Sequence, residues 1–281
     1  LGTLWGLSFS MAKIAVGGGG APIGIALCST GIGGAILLVV TLVRGIRLPL
    51  RRNYFGYYLM TGACGIALPS TALYAAAFHL PAGVLSMLVA TSPMLTYALA
   101  VMLGMERREG RRLLGLGLGL AGVALLVLPG RELVGSVDPV WLGVALVAPT
   151  FYAINSILGA RFRPADGDNI GLACGMLLAA ALILALITVP GGYTVSLLPP
   201  WNVSHLGILI LGSISGGAFI LFFFILTRAG PVFFSQVGYI VTGTGVLWGM
   251  LLFGERHGIV VWLALGVVIA GVALVQPRQQ T

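Results

Sequence analysis

The sequence predicts an all-α integral membrane protein of ten transmembrane helices, arranged as two inverted five-helix repeats. Three observations predict it. Of 281 residues, 58% are apolar and only 8% charged, and the mean hydropathy is +1.07. A soluble domain needs about a quarter of its residues charged, so soluble and disordered chains are excluded. The apolar residues gather in ten runs separated by short charged or Pro/Gly-rich breaks. Finally, the chain matches itself when displaced by 149 residues.

About 20 apolar residues cross a hydrocarbon core of roughly 30 Å, and only helices or closed barrels satisfy their backbone there. These runs are too continuous for alternating barrel strands. In chain order they are Leu1–Val16, Ala21–Val43, Tyr54–Phe78, Pro81–Met105, Leu113–Leu128, Val140–Ala160, Asn169–Val189, His205–Leu226, Pro231–Phe253 and Gly258–Val275. Breaks at Arg44 to Arg52, Glu106 to Arg112, Arg161 to Asp168 and Pro190 to Ser204 carry the charge or the turn residues. The first and fifth runs are short, and the boundary at His79-Leu80-Pro81 is the least marked. The chain opens at Leu1, already apolar and with no basic stretch, unlike a signal peptide. Native residues are therefore expected to precede it, leaving the first helix recorded short.

A net charge of +8 and a pI near 9.9 would suggest nucleic acid in a soluble protein. Here the basic residues occupy the breaks, where orientation signals belong, and nucleic acid is not expected as a partner. With alternate crossings, one side collects Arg44, Arg47, Arg51, Arg52, Arg107, Arg108, Arg111, Arg112, Arg161, Arg163, Arg228 and Arg278. The other collects Lys13, Arg131 and Arg256. This 12-to-3 split places both termini in the cytoplasm by the positive-inside rule. Cys28, Cys64 and Cys174 lie inside apolar runs and read as packing residues, neither a disulfide framework nor a metal site.

The self-match aligns helices three to five with eight to ten without a gap. Glu106-Arg107 falls on Glu255-Arg256, and Ala121-Gly122-Val123-Ala124-Leu125 on Ala270-Gly271-Val272-Ala273-Leu274; Ser86 meets Ser235 and Gly117 meets Gly266. The domains are accordingly 1–130 and 139–276. An odd number of helices per half inserts the second upside down, which is an architecture of secondary transporters. A duplicated protein that moves no solute would give the same pattern.

Ten helices in a five-plus-five inverted repeat, Trp5-Gly6 with Lys13 in the first helix, and a Met/Gly-Glu-Arg closing the fourth and ninth resemble the EamA family of the drug/metabolite transporter superfamily. The resemblance covers essentially the whole chain, and is nearest to the YddG-type aromatic amino acid exporters. It implies a bacterial inner-membrane efflux protein for amino acids and related metabolites. It further implies a cavity built by helices one, three, four, six, eight and nine, with five and ten at the rear.

Several motifs read otherwise than they first look. Gly117-Leu-Gly119-Leu-Ala-Gly122 matches a dinucleotide fingerprint but lies inside a membrane helix with no preceding strand, so that site is excluded. The pairs Gly115/Gly119, Gly171/Gly175, Gly212/Gly216 and Gly245/Gly249 read as helix-packing surfaces. Ser213-Ile-Ser215-Gly216 looks like a protease elbow, yet His79, His205 and His257 all map to span ends, leaving no base beside it. No enzyme is expected, and no metal or cofactor. All seven acids fall at helix ends or in loops, which disfavours proton antiport through an intramembrane carboxylate and favours facilitated diffusion.

Candidate substrate-binding residues follow from the aromatic and polar positions on the cavity helices. Trp5 and Ser8 share a face of helix one, and Tyr152 and Asn155 the corresponding face of helix six. Tyr74, Phe78, Ser86 and Tyr97 in the first half face Phe219, Phe223, Gln236 and Tyr239 in the second. Such residues line apolar cavities with a few placed polar groups, and equally serve as lipid-facing or interhelical aromatics. Lys13, the one lysine, either snorkels to the interface or faces the cavity, holding a carboxylate or a helix end. His79, also a candidate, ends helix three at the outer mouth, where a capping or hydrogen-bonding role is favoured over proton transfer. Trp141 and Trp201 read as interface anchors, and Pro93 as a kink or hinge in helix four. The expected function is export of aromatic or hydrophobic amino acids by alternating access, lipid and the amino acid being the partners. A multidrug, sugar or nucleotide transporter of the same fold, or a channel, is the alternative; oligomeric state is left open, a monomer being compatible.

Overall fold

The structure is a computed structural model that describes residues 1–46, 48–127, 138–235 and 237–275; side chains at 126–127, 222–223, 225–235 and 239 fall outside the description. Every regular element among the described residues is helical. They form ten rods: α1 (Gly2–Val16), α2 (Pro22–Val43), α3 (Arg52–Ala77), α4 (Ala82–Met102), α5 (Gly110–Val127), α6 (Pro139–Arg161), α7 (Asn169–Thr188), α8 (Val203–Ser235), α9 (Val237–Phe253) and α10 (Ile259–Val275). Six of them, α2, α3, α4, α6, α7 and the described part of α8, are long and apolar enough to cross a membrane. With 8% charged residues, the chain is an integral membrane protein.

Most boundaries fall within about three residues of those read from hydropathy. The exception is the eighth and ninth. The runs His205–Leu226 and Pro231–Phe253 leave a break at Thr227 to Gly230, yet α8 runs on to Ser235 and α9 starts at Val237. A Gly-Pro pair and one charge weaken a helix by a hydrogen bond without forcing a turn. Two starts are capped as their sequence dictates. Asp138 accepts from the Val140 amide, and Asp168 from the Ile170 and Gly171 amides, each satisfying donors that the first turn leaves open.

Prolines shape the three rods nearest the centre. In α3 the backbone widens into a π turn at Ala63–Ala67, just ahead of Pro69. Pro69 offers no N–H to the preceding turn, and the wider turn relieves its ring. In α4 the helix is interrupted at Ala90 and Thr91. Pro93 cannot serve the Val89 carbonyl four residues back, and the Ser92 hydroxyl donates to it instead at 2.7 Å. In α6, Pro149 sits inside the helix, one turn before Tyr152.

The main contacts run between the halves. α1 lies against α8 and α9, while α6 lies against α3 and α4; α2 packs on α7 and α8, and α7 on α2 and α3; α4 meets α9, and α5 meets α10. Close approach depends on small residues, as expected where no hydrophobic effect drives helices together. Gly212 and Gly216 of α8 face Ile32, Ile36 and Gly33 of α2, and a Cβ added to Gly271 of α10 would lie 2.7 Å from the Gly115 carbonyl of α5. A Gly271→Leu substitution is expected to destabilise the detergent-solubilised protein by about 1–3 kcal/mol through overpacking. Gly266→Leu, five residues earlier on the exposed face with open space around it, should leave the thermal midpoint where it was. Equal midpoints for the two variants would refute this packing.

Candidate functional site

Between the halves lies a cavity of about 790 Å³, within the range of small-molecule sites. Its wall is mostly apolar, with aromatic rings from Trp5 and Phe9 of α1, Tyr74 of α3, Tyr152 of α6 and Phe219 of α8. Neutral hydrogen-bonding groups punctuate it, among them Ser8, Thr30, Ser70, Asn155 and Thr242. The charged residues in its lining are Glu106 and Arg112, at the α4–α5 end. No lining residue comes from the opposite end, where α1 finishes, α3 joins α4 and α9 joins α10.

Asn155 is the polar centre of this wall. A Cβ on Gly65 would fall 2.8–3.0 Å from the Asn155 amide atoms, so the bare backbone of the π turn makes room for the side chain. The Asn155 Oδ1 is buried and accepts no hydrogen bond among the described residues. A buried carbonyl oxygen left so costs about 1–3 kcal/mol, which a donor on a bound solute would recover. Nearby groups are occupied: the Ser8 hydroxyl donates to the Trp5 carbonyl at 2.6 Å, and the Tyr74 and Ser29 hydroxyls lie 3.4 Å apart.

Of the fourteen residues expected at the site, the structure brings Trp5, Ser8, Tyr74, Tyr97, Tyr152, Asn155 and Phe219 to the cavity. Tyr97 stands at the mouth. Its hydroxyl donates to the Arg107 carbonyl and accepts from the Glu109 amide, while Arg112 lies over its ring at 5.5 Å. Four others do not line the cavity. Phe78 is exposed, and His79 stacks on Trp141 with ring centroids 3.7 Å apart; both sit past the end of α3, too far along the rod to turn inward. Ser86 is fully buried between α4 and α9, its hydroxyl bonded to the Gly83 and Thr242 carbonyls. Lys13 is drawn away by a carboxylate. The Phe223, Gln236 and Tyr239 side chains lie outside the described residues.

That carboxylate is Glu255, in the α9–α10 connection. Lys13 Nζ lies 3.0 Å from its Oε1, and the Ala82 amide donates to the same oxygen at 2.9 Å. The Gly83 amide donates to Oε2 at 3.3 Å, and His257 Nε2 is 3.4 Å from it. One carboxylate thus ties α1, the start of α4 and the α9–α10 connection together, at the end opposite the mouth. Burial opposes its ionisation. His257 beside it, the hydrogen bonds from the Ala82 amide and Lys13, and the Lys13 charge outweigh this and hold the carboxyl down at about 2. Favourable charge at a helix N-terminus acts in the same sense.

The model of the EamA-like transporter family matches residues 1–128 and again 139–276. The chain belongs to the EamA-like transporter family. Among curated relatives of this EamA-like chain is the "Uncharacterized inner membrane transporter YedA" of Escherichia coli strain K12, 27% identical over 251 residues, which cover 86% of this chain and 77% of the relative. Its counterpart in Escherichia coli O157:H7 matches equally. One protein of known crystal structure superposes on 98% of the chain and 96% of its own, with a TM-score of 0.64 and 21% identity. This EamA-like protein therefore shares its fold with that structure.

Sequence reasoning missed part of the wall. Thr30 of α2 and Met176 of α7 reach the cavity, as do Val268, Ile269, Val272 and Val275 of α10, a helix expected at the rear. Small and aliphatic residues on an all-apolar helix carry no periodic signal of facing. The one available pointer was Gly65-Ile-Ala-Leu-Pro69 in the third run, a glycine and a proline four apart, which mark where α3 departs from regular geometry.

Proposed function

We propose that this chain carries aromatic and hydrophobic amino acids out of the cytoplasm by alternating access, as a multi-pass protein of the bacterial inner membrane with both termini cytoplasmic. The observation that carries the reading is the cavity itself. Its aromatic wall suits a flat or branched apolar side chain, and the unpartnered Asn155 Oδ1 among neutral hydroxyls suits an amino group. Ten spans in two inverted halves explain why the helix contacts map onto themselves. Exchanging the halves turns α1 against α8 and α9 into α6 against α3 and α4, and the same family model matches each half. Pseudo-symmetry about an axis in the membrane plane lets the halves exchange conformations around a fixed site. The relative named an inner membrane transporter supports the location. On the positive-inside orientation the cavity mouth beside Glu106 and Arg112 faces the cytoplasm.

The test is uptake of a radiolabelled amino acid panel into proteoliposomes, with and without a pH gradient. Saturable uptake of aromatic or hydrophobic amino acids, with counterflow and no dependence on the gradient, is the expected result. Counterflow separates a carrier from a channel. Movement of sugars, nucleotides or cations with no amino acid flux would keep the fold and overturn the substrate.

A further inference from the structure

We propose that Lys13–Glu255 is one of a pair of alternating latches, and that Glu106 with Arg161 forms its mirror at the cavity mouth, closing there when Lys13–Glu255 opens. The inference rests on the inverted-repeat carrier read above. It starts from one sequence element used twice. Met105-Glu106-Arg107 and Gly254-Glu255-Arg256 stand 149 residues apart, each just after a left-handed glycine or at one: Gly104 at φ 70° and Gly254 at φ 63°. The two glutamates have opposite surroundings. Glu255 is 8% exposed and gathers α1, α4 and the α9–α10 connection. Glu106 is 47% exposed and pairs with Arg112 in the first turn of α5 at 3.2 Å, while the neighbouring Met102, Leu103 and Met105 are exposed. One end is shut and the other is open.

The first two helices of each half align at a shift of 147, on which Ile23-Gly24-Ile25-Ala26 falls on Ile170-Gly171-Leu172-Ala173 and Trp5 and Ser8 fall on Tyr152 and Asn155. Lys13 then falls on Ala160, beside Arg161 at the end of α6. Arg163, the other nearby cation, is engaged by the Gly167 carbonyl and Asn169. Arg161 is exposed. Glu255 also rests on the first amides of α4. The equivalent positions to Ala82 and Gly83 are Pro231, without an N–H, and Val232, which lies inside α8 with its amide in the helix. The mirror latch therefore lacks both amides and leans on Arg161. Two latches of unequal strength bias the carrier toward the closed outer end seen here, since an equilibrium shifts by the difference between its two states.

The test reads which side reaches the cavity. With Cys28, Cys64 and Cys174 replaced by alanine, Ser70→Cys places a thiol in the cavity wall. An impermeant methanethiosulfonate is applied from either side in right-side-out and inverted vesicles. Wild type is expected to react mainly from the Arg112 side. Lys13→Met should raise the ratio of opposite-side to Arg112-side labelling roughly tenfold, whereas Glu106→Gln and Arg161→Met should each lower it. Opposite signs at the two ends are what a merely structural role would not produce. Shifts of one sign in all three, or no shift, overturn the proposal. Should Lys13→Met fail to fold, the exposed Glu106 and Arg161 variants decide it alone. Saturable uptake with unmoved labelling sinks the latches and spares the carrier; absence of any saturable solute flux sinks the carrier reading.

Discussion

Asn155→Leu is expected to lower amino acid uptake at least about fivefold while leaving the amount of folded protein unchanged. Leucine repeats the branched heavy-atom skeleton of asparagine with bulkier terminal groups, for which the bare Gly65 leaves room, and the residue removed is one whose Oδ1 satisfies nothing within the described protein. A solute whose amino group loses this acceptor is left with a buried donor unpaired, a cost of about 1–3 kcal/mol, or roughly 5- to 150-fold in affinity. Tyr152→Ala removes the neighbouring ring and should act on the other end of the solute. Its loss is of similar size, about 2 kcal/mol for an aromatic contact, and falls selectively on substrates with large side chains. Ser213→Ala, an exposed residue of α8 bonded to its own helix, is the control. Wild-type flux in Asn155→Leu, with material that elutes as a single folded species, would falsify the site.

The difference between what the residues announced and what they concealed has a physical basis. Apolar runs and charged breaks report the cost of placing a group in lipid, which is large and local, so nine of the ten starts could be placed closely. The α8–α9 boundary failed because a Gly-Pro pair weakens a helix without dictating its end. Trp5, Tyr74, Tyr152 and Asn155 were legible because aromatic and amide groups are rare and placed at helical spacing on matching faces. Phe78, His79 and Ser86 were chosen on the same residue chemistry, yet position along the rod and the close packing of α4 on α9 put them elsewhere. Lys13 was undecidable alone. Its partner lies 242 residues away, and only the fold brings Glu255 to it.

That partnership gives the largest expected effect on stability. Glu255→Ala is expected to destabilise the protein at neutral pH by about 3 kcal/mol, the lower end for breaking a buried ion pair, because Lys13 keeps some access to solvent. The Ala82 and Gly83 amides lose their acceptor with it. The pH dependence follows from the carboxyl being held at about 2, against an ordinary value of 4.5. A depressed carboxyl contributes stability that is fully present above its unfolded pKa and is lost as pH falls through the folded one. The gap between wild type and Glu255→Ala should therefore stay constant from pH 9 to about 5 and close between about 4.5 and 2. Thermal unfolding in detergent across that range measures it. The same window bears on coupling. A carboxylate still ionised at pH 5 takes up no proton near neutrality while the outer end is shut. A gap that closed between pH 5 and 7 would reverse both conclusions, making Glu255 a titrating group of the transport cycle.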